Sequence, residues 1–302
     1  MRWVKKGLIL QPPTHLAWAT SHAALPIVDA ASGNRVRIYF SSRDAHNRAQ
    51  IGRASLDLGA TASEPEFEPE PLVRIGPRGS FDDSGVTGGC IVDENGRLYL
   101  YFSGWSLGVT VPFLFYIGCA LSTDGGTSFE KVSTAPVLGR NRFDPYLTAS
   151  PSVLVEGGTW RMWYVSGTGW TDGAEAEPNY NIRYAESTDG IDWRPTGQVC
   201  IDYSYPGEHA IARPHVIKDG STYRMWYSHR GGSYRIGYAE SADGLTWSRK
   251  DEEAGIGTSP DGWDSEMVAY PWVGDIGGRR RMLYNGNSYG RTGIGEAVLE
   301  QG

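Results

Sequence analysis

Glu208 and Glu266 are the residues of this chain best suited to paired acid and base chemistry. They stand in the segments EHAIARPHV (208–216) and DSEMVAYP (264–271), which lead into two successive copies of a repeated strand pattern, and no other such segment carries a glutamate. Two carboxyl groups about 5–10 Å apart can share the cleavage of an acetal, one protonating the leaving oxygen while the other attacks or activates water. Crowding raises the pKa of one partner and keeps it protonated near neutrality. Asp83, in DDSGVTGGC (82–90), is a third acid that supports them.

The same segments supply cations and rings. Arg213 and His215 flank Pro214 and alternate along a strand, so they are expected on one face. If that face is the funnel, with His22 from SHAALP (21–26) across from it, they would form a cationic wall for a phosphate, carboxylate or sulfate group, the arginine making a bidentate contact, and His209 is a further substrate-binding candidate. Trp105, Trp170 and Tyr203 offer platforms on which a sugar ring can stack, and Tyr270, which breaks the repeat, is a further substrate-binding candidate. His22, His209 and His215 have no spacing that specifies a metal, and neither a metal nor another cofactor is expected.

These residues are positioned by a pattern that occurs five times: RVRIYFSS (35–42), RLYLYFSG (97–104), WRMWYVSG (160–167), YRMWYSHR (223–230) and RRMLYNGN (280–287). Equivalent positions Tyr39, Tyr101, Trp163, Trp226 and Leu283 are separated by 62, 62, 63 and 57 residues, a regularity typical of radial or stacked repeats. Each copy has an apolar lead-in, a Gly-, Asn- or Asp-rich turn, the alternating aromatic run, and a third strand such as YNIRYAES (180–187) or YRIGYAES (234–241). Four strands in some sixty residues, repeated five times, predict an all-β, five-bladed β-propeller spanning 1–302 as a single domain. A residue present in every copy is then structural, and one that breaks the pattern is a functional candidate.

That rule removes several conspicuous acids. Asp124, Asp189 and Asp243 recur in STDGGTSF, STDGIDW and SADGLTW, where Asp caps backbone N–H groups and Gly takes positive φ. Phe81-Asp82, Phe143-Asp144 and Trp263-Asp264 also recur and are expected to tie each lead-in loop to the next blade. The stretch 168–181, TGWTDGAEAEPNYN, is the longest irregular one and is expected to be a binding loop.

A net charge of −7 gives no general field for a polyanion, so nucleic acid is not an expected partner. No stretch approaches the roughly 18 apolar residues of a membrane span. MRWVKKGLIL (1–10) lacks the apolar run of a secretory signal, and three cysteines without metal-ligand spacing suit reduced thiols, so a cytoplasmic location is expected.

The proline that leads into a blade, the MWY strand, GYAES and SxDGxxW together resemble the five-bladed propeller glycoside hydrolases, the superfamily of arabinanases, β-xylosidases, invertases and levansucrases. The resemblance covers nearly the whole chain and implies three carboxylates on the innermost strands, pointing into the central funnel. In that superfamily the acids usually stand just before the leading proline. The matching positions here are Leu25, Ser150, and Ala212 with Arg213, and none is acidic. The implied activity is cleavage or transfer of a glycosidic bond of a small or anionic sugar, with Glu208, Glu266 and Asp83 in the catalytic roles. Binding of a sugar or sugar phosphate without turnover, and lyase or isomerase chemistry, are the alternatives on the same scaffold.

Overall fold

Alternation of aromatic and small residues at a period near sixty fixes the strand pairing. The computed structural model describes residues 1–60, 63–172 and 176–300, and its strands form five four-stranded antiparallel units, blades I to V. Strand β1 (Trp3–Leu10) joins the last of them. Blade I contains β2 (Ser21–Ser32), β3 (Arg35–Arg43), β4 (Ala49–Asp57) and β5 (Glu66–Phe67). Blade II contains β6 (Gly85–Glu94), β7 (Arg97–Leu107), β8 (Phe113–Ser122) and β9 (Glu130–Lys131). Blade III contains β10 (Thr148–Glu156), β11 (Thr159–Trp170), β12 (Pro178–Ser187) and β13 (Arg194–Ile201). Blade IV contains β14 (Ala210–Asp219), β15 (Thr222–Arg230), β16 (Arg235–Ser241) and β17 (Ser248–Arg249).

Blade V is built from β18 (Ala269–Ile276), β19 (Arg279–Asn285) and β20 (Ile294–Leu299), with β1 pairing antiparallel to β20 as its outer strand. The innermost strands β2, β6, β10, β14 and β18 neighbour one another in turn, and β18 returns to β2. Closure of the ring packs the innermost strands against one another and leaves only the outer strand of each blade as an edge, three of them (β5, β9 and β17) two residues long. The structure is the β-propeller expected from the repeat.

The aromatic runs lie in β3, β7, β11, β15 and β19, and successive side chains point to opposite faces of their blade. Tyr101 and Trp163 are therefore fully buried between neighbouring blades. The Tyr101 hydroxyl donates to Gly190 O at 2.6 Å and Trp163 Nε1 to Gly244 O at 2.7 Å, so the Asp-Gly turn of one blade receives the ring of the blade before it. Asp189 and Asp243 cap backbone N–H groups inside these turns, and Gly190 and Gly244 have φ of 77° and 74°. The structural reading of these acids matches the geometry.

The aromatic–Asp steps have a different connection from the expected one. Asp82 pairs with Lys131, Asp144 lies 3.9 Å from Arg183 and Asp264 bonds Lys5 at 2.6 Å, each cation standing on the same blade as its acid rather than on the next. Glu208 performs this task for blade IV. Its side chain is fully buried, receives both Nη groups of Arg249 at 2.9 Å and the Ser204 N–H at 2.7 Å, and lies 2.9 Å from His229 Nδ1. The stretch 168–181 also differs from expectation, because β11 continues to Trp170 and β12 begins at Pro178. Residues 173–175 lie outside the described residues.

A second tie recurs between blades. Each innermost strand has a register shift: Ala24/Ile27, Gly88/Cys90, Ala149/Ser152, Ala212/His215 and Ala269/Trp272. At four junctions the exposed N–H of the shifted strand bonds a polar side chain of the preceding blade. Gly88 N donates to Ser41 Oγ at 2.9 Å, Ser150 N to Ser103 Oγ at 2.8 Å, Tyr270 N to Ser228 Oγ at 2.7 Å and Leu25 N to Asn285 Oδ1 at 2.8 Å. Val165 is the corresponding residue of blade III and has no polar group to accept this bond, and the neighbouring Ser166 Oγ is buried with no partner among the described residues.

Ser103→Ala leaves a buried donor unsatisfied and should cost about 1–3 kcal/mol in urea unfolding, whereas Ser166→Ala should stay within about 0.5 kcal/mol of the parent. Equal losses would refute the assignment. Burial alone would raise the Glu208 pKa, but bonds from His229, Arg249 and the Ser204 N–H outweigh it and bring the group down to about 2. Glu208→Gln should therefore destabilise the fold by roughly 2–4 kcal/mol at pH 7. A depressed folded-state pKa stabilises above the ordinary carboxylate range, so the gap between parent and variant should close as pH falls from about 4.5 towards 2. An unchanged gap at pH 3 in paired urea titrations would contradict the role.

Candidate functional site

The shifts in the innermost strands decide which side chains reach the centre. Leu25, Ser150, Arg213 and Tyr270 each precede a proline and have φ of 58°, 47°, 52° and 58°, a left-handed conformation uncommon for non-glycine residues. Proline has no N–H to donate at the shifted step, which fits it to such a position. Leu25, Ser150, Ala212 and Tyr270 line a cavity of about 190 Å³ at the convergence of the five blades.

The cavity has an apolar base and a polar wall. Ala24, Ala49, Leu147, Ala149 and Val165 surround the base, while Ser41, Thr87 and Ser103 add hydroxyls. Phe113, Phe115, Tyr180, Tyr234, Tyr270 and Tyr289 supply aromatic surface, and His22 and Arg43 supply the basic groups. Among the described residues no aspartate or glutamate lines the cavity. At the positions where the resemblance would place acids, the cavity presents Leu25, Ser150 and Ala212.

The basic groups differ in state. His22 lies 3.0 Å through Nδ1 from Ser21 Oγ, and burial first, then repulsion from Arg43 and Arg291, pulls its pKa to about 4. The imidazole is thus neutral at pH 7. Burial also lowers the Arg43 pKa, and its Nη1 donates to Asn47 Oδ1 at 2.8 Å. In the same lining the Tyr180 and Tyr234 hydroxyls bond each other, and Tyr234 is 5.7 Å from the Tyr270 ring and 6.1 Å from Tyr289. Burial pushes the Tyr234 and Tyr270 hydroxyls far up, so both remain protonated donors. The Arg230 guanidinium lies 5.1 Å over Tyr234 and pairs with Glu177 at 3.1 Å.

Of the residues singled out in the sequence, His22 and Tyr270 line this cavity. Trp105 and Trp170 stand behind it, 6.3 Å from Phe115 and 5.4 Å from Phe113. His209 is outside the lining, with Nδ1 3.1 Å from Gly207 O and Nε2 3.5 Å from Glu177. Glu208 is enclosed in its ion cluster, whereas Glu266 is exposed and engaged through its backbone by Asn287 and Arg235. The two are not brought together at the cavity. Asp83 accepts from Gly79 N at 2.9 Å and Ser84 Oγ at 2.8 Å and closes a turn.

Arg213 and His215 do not form a wall. The shift at Ala212/His215 breaks the alternation that would have put them on one face. His215 Nε2 lies 2.7 Å from Val273 O and its ring packs 5.7 Å from Trp272, between blades IV and V, where burial takes its pKa to about 4. Arg213 is only 2% exposed and donates to Gly89 O and, at 3.0 Å, to Pro26 O. Among the described residues no group of three or more His, Cys, Asp or Glu side chains is arranged to hold a metal ion.

Arg43, Tyr180, Tyr234, Tyr289, Phe113 and Phe115 were not apparent from the sequence. A signal for Arg43 existed: four residues beyond the equivalent positions Tyr39, Tyr101, Trp163, Trp226 and Leu283 the five copies read Arg43, Trp105, Gly167, Arg230 and Asn287, so this position varies from copy to copy. It lies at the end of the second strand, opposite the start of the innermost one, as the pairing Ser21 to Arg43 illustrates.

No family model matches the chain. A solved structure described as a glycoside hydrolase superposes with a TM-score of 0.78 and 16% identity, covering 99% of this chain and 92% of its own. The endo-arabinase from Bacteroides thetaiotaomicron superposes with a TM-score of 0.68 and 13% identity, covering 98% and 99%. At these identities the likeness establishes the fold shared with propeller glycoside hydrolases. The Mycobacterium tuberculosis (strain ATCC 25618 / H37Rv) protein described as "Uncharacterized protein Rv1502" is 47% identical over 300 residues, covering 99% of this chain and all of that protein. With that identity over its full length, the chain belongs to the Rv1502 family, a family with the propeller fold of the glycoside hydrolases.

Proposed function

We propose that the protein binds a small carbohydrate in the funnel cavity and holds it without cleaving it through a carboxylate pair. The observation that carries this reading is a cavity at the propeller centre whose described lining has aromatic, hydroxyl and basic groups but no carboxylate. Glycoside hydrolysis by the usual route needs two carboxyl groups flanking the bond. The nearest candidates in sequence are occupied elsewhere: Glu208 in the blade IV ion cluster and Asp83 in a turn.

A volume of about 190 Å³ is small beside the roughly 300–1,000 Å³ of pockets for drug-sized ligands, which favours one sugar ring over an oligosaccharide. The Tyr234, Tyr270 and Tyr289 rings offer apolar faces for the ring carbons, and the protonated tyrosine hydroxyls and serines offer partners for its hydroxyl groups. The solved propeller glycoside hydrolases lend this reading support through the fold they share with the chain.

A thermal-shift and calorimetric screen of monosaccharides and their acidic derivatives tests the proposal. Tyr289 is 46% exposed at the cavity, so Tyr289→Ala should leave the melting temperature nearly unchanged while weakening the selected ligand about 2–10-fold, the loss of one stacking contact. Sugar release from aryl glycosides at an ordinary enzymatic rate, about 1 s⁻¹ or faster, would overturn the non-hydrolytic reading.

A further inference from the structure

The basic side of the cavity is assembled from groups that the protein leaves without counter-charges. Arg43 is half-buried, and among the described residues its side chain has one bond, from Nη1 to Asn47 Oδ1 at 2.8 Å, leaving Nε and Nη2 without a protein acceptor and the group without a carboxylate. Charged groups removed from water are costly when uncompensated, and a guanidinium presents a planar fork suited to two oxygens of one anion. His22 stands beside it at a φ of 65°, a strained conformation that keeps the imidazole at the cavity.

Arg291 reaches the same corner from blade V. Gly290 has a φ of 91°, and a Cβ there would lie 2.7 Å from the Ala24 Cβ and 3.0 Å from Ala23 O, so glycine allows the turn to press against the innermost strand of blade I. The next residue, Arg291, is exposed and makes no ion pair or side-chain hydrogen bond among the described residues. Its repulsion of a protonated His22 places it within electrostatic reach of the imidazole. Arg43 and His22 thus line a cavity whose described lining has no carboxylate, and Arg291, two residues beyond the lining residue Tyr289, stands outside that lining within electrostatic reach of His22.

We propose that the anion recognised here is the phosphate monoester of a sugar, clamped by Arg43 and Arg291 with His22 as a third partner. This rests on the carbohydrate reading of the cavity. The charge count distinguishes the anion: a uronate or sulfate ester carries one negative charge, whereas a phosphate monoester carries about −1.5 to −2 near neutrality and matches two guanidinium groups. The ring would pack against Tyr234, Tyr270 and Tyr289. His22 is neutral in the absence of a ligand, and a dianion beside it favours its protonated, doubly donating form.

Isothermal titration calorimetry with hexose 1-phosphates and 6-phosphates, the parent hexoses, a uronate, a sugar sulfate and inorganic phosphate alone provides the test. At least one sugar phosphate should bind 10–100-fold more tightly than its parent hexose, uronate or sulfate. Arg43→Gln and Arg291→Gln should each remove most of that preference, read as the ratio of sugar-phosphate to parent-hexose affinity in the same variant, and Arg43→Lys should restore part of it. At pH 6 a free phosphate monoester is about half protonated, so its capture as the dianion releases protons that protonation of His22 offsets, and the net exchange, read from the dependence on buffer ionisation heat, should shift towards release in His22→Asn.

Hexose binding with no gain from phosphate overturns the clamp and leaves the carbohydrate reading standing. Arg43-dependent binding of inorganic phosphate with no contribution from any sugar supports the clamp and overturns the carbohydrate reading. No binding of any probe to folded protein, verified by its melting curve, overturns both.

Discussion

Everything at the centre of this propeller depends on one hydrogen bond repeated from blade to blade. The side chain of Ser41, Ser103, Ser228 or Asn285 accepts the N–H that a register shift exposes on the neighbouring innermost strand. A buried N–H without a partner is costly, so the acceptor and the shift are a matched pair. The shift changes the direction of the strand at its innermost point. It also holds three residues that line the cavity, Leu25, Ser150 and Tyr270, in the left-handed region. The same bond that joins adjacent blades therefore selects the side chains that form the cavity.

Charge is segregated by the scaffold. Asp82, Asp144, Glu208 and Asp264 are buried and paired with cations of their own blades, and Asp189 and Asp243 have their pKa values lowered, chiefly by backbone N–H groups of their turns. These acids work on blade construction. The cavity is left with Arg43 and His22, without an opposing carboxylate among its described lining. In a chain of net charge −7 this makes the centre locally basic, and low-dielectric walls strengthen its field on an anion. Position in the fold, rather than overall composition, sets the electrostatic character of the cavity.

The blades were legible because their period is carried by large buried residues: the equivalent positions Tyr39, Tyr101 and Trp163 each lie in the second strand of a blade and are fully buried. The Asp-Gly turns were legible for a local reason, since Asp capping and positive-φ glycine are properties of a few adjacent residues. Glu208 was misread because its side chain differs from that of its counterparts, while its buried pairing with Arg249 keeps the same role. Arg213 and His215 were misread because simple alternation fails across a shifted step that the sequence does not mark as such. Arg43 and the tyrosines escaped notice because they converge from separate blades at the outer ends of strands, and only closure of the ring brings them together.

The junction between blades III and IV shows how the ring tolerates a missing tie. Val165 stands at the tie position there and offers no acceptor, and the residue at the shifted position, Arg213, extends across the centre to the carbonyls of Gly89 and Pro26 in blades II and I. A local bond between neighbours is thus replaced by two bonds that span the ring. Burial lowers the Arg213 pKa to about 10, which leaves the guanidinium charged at neutral pH, with backbone dipoles rather than a carboxylate as its partners. Burying a cation without a counter-ion is unfavourable unless its donors are satisfied, and here only Nε remains without an acceptor. The charge lies next to Ala212 and the Leu25–Pro26 step, and Leu25 and Ala212 line the cavity, so the exception to the repeat adds a fixed positive charge behind the cavity wall.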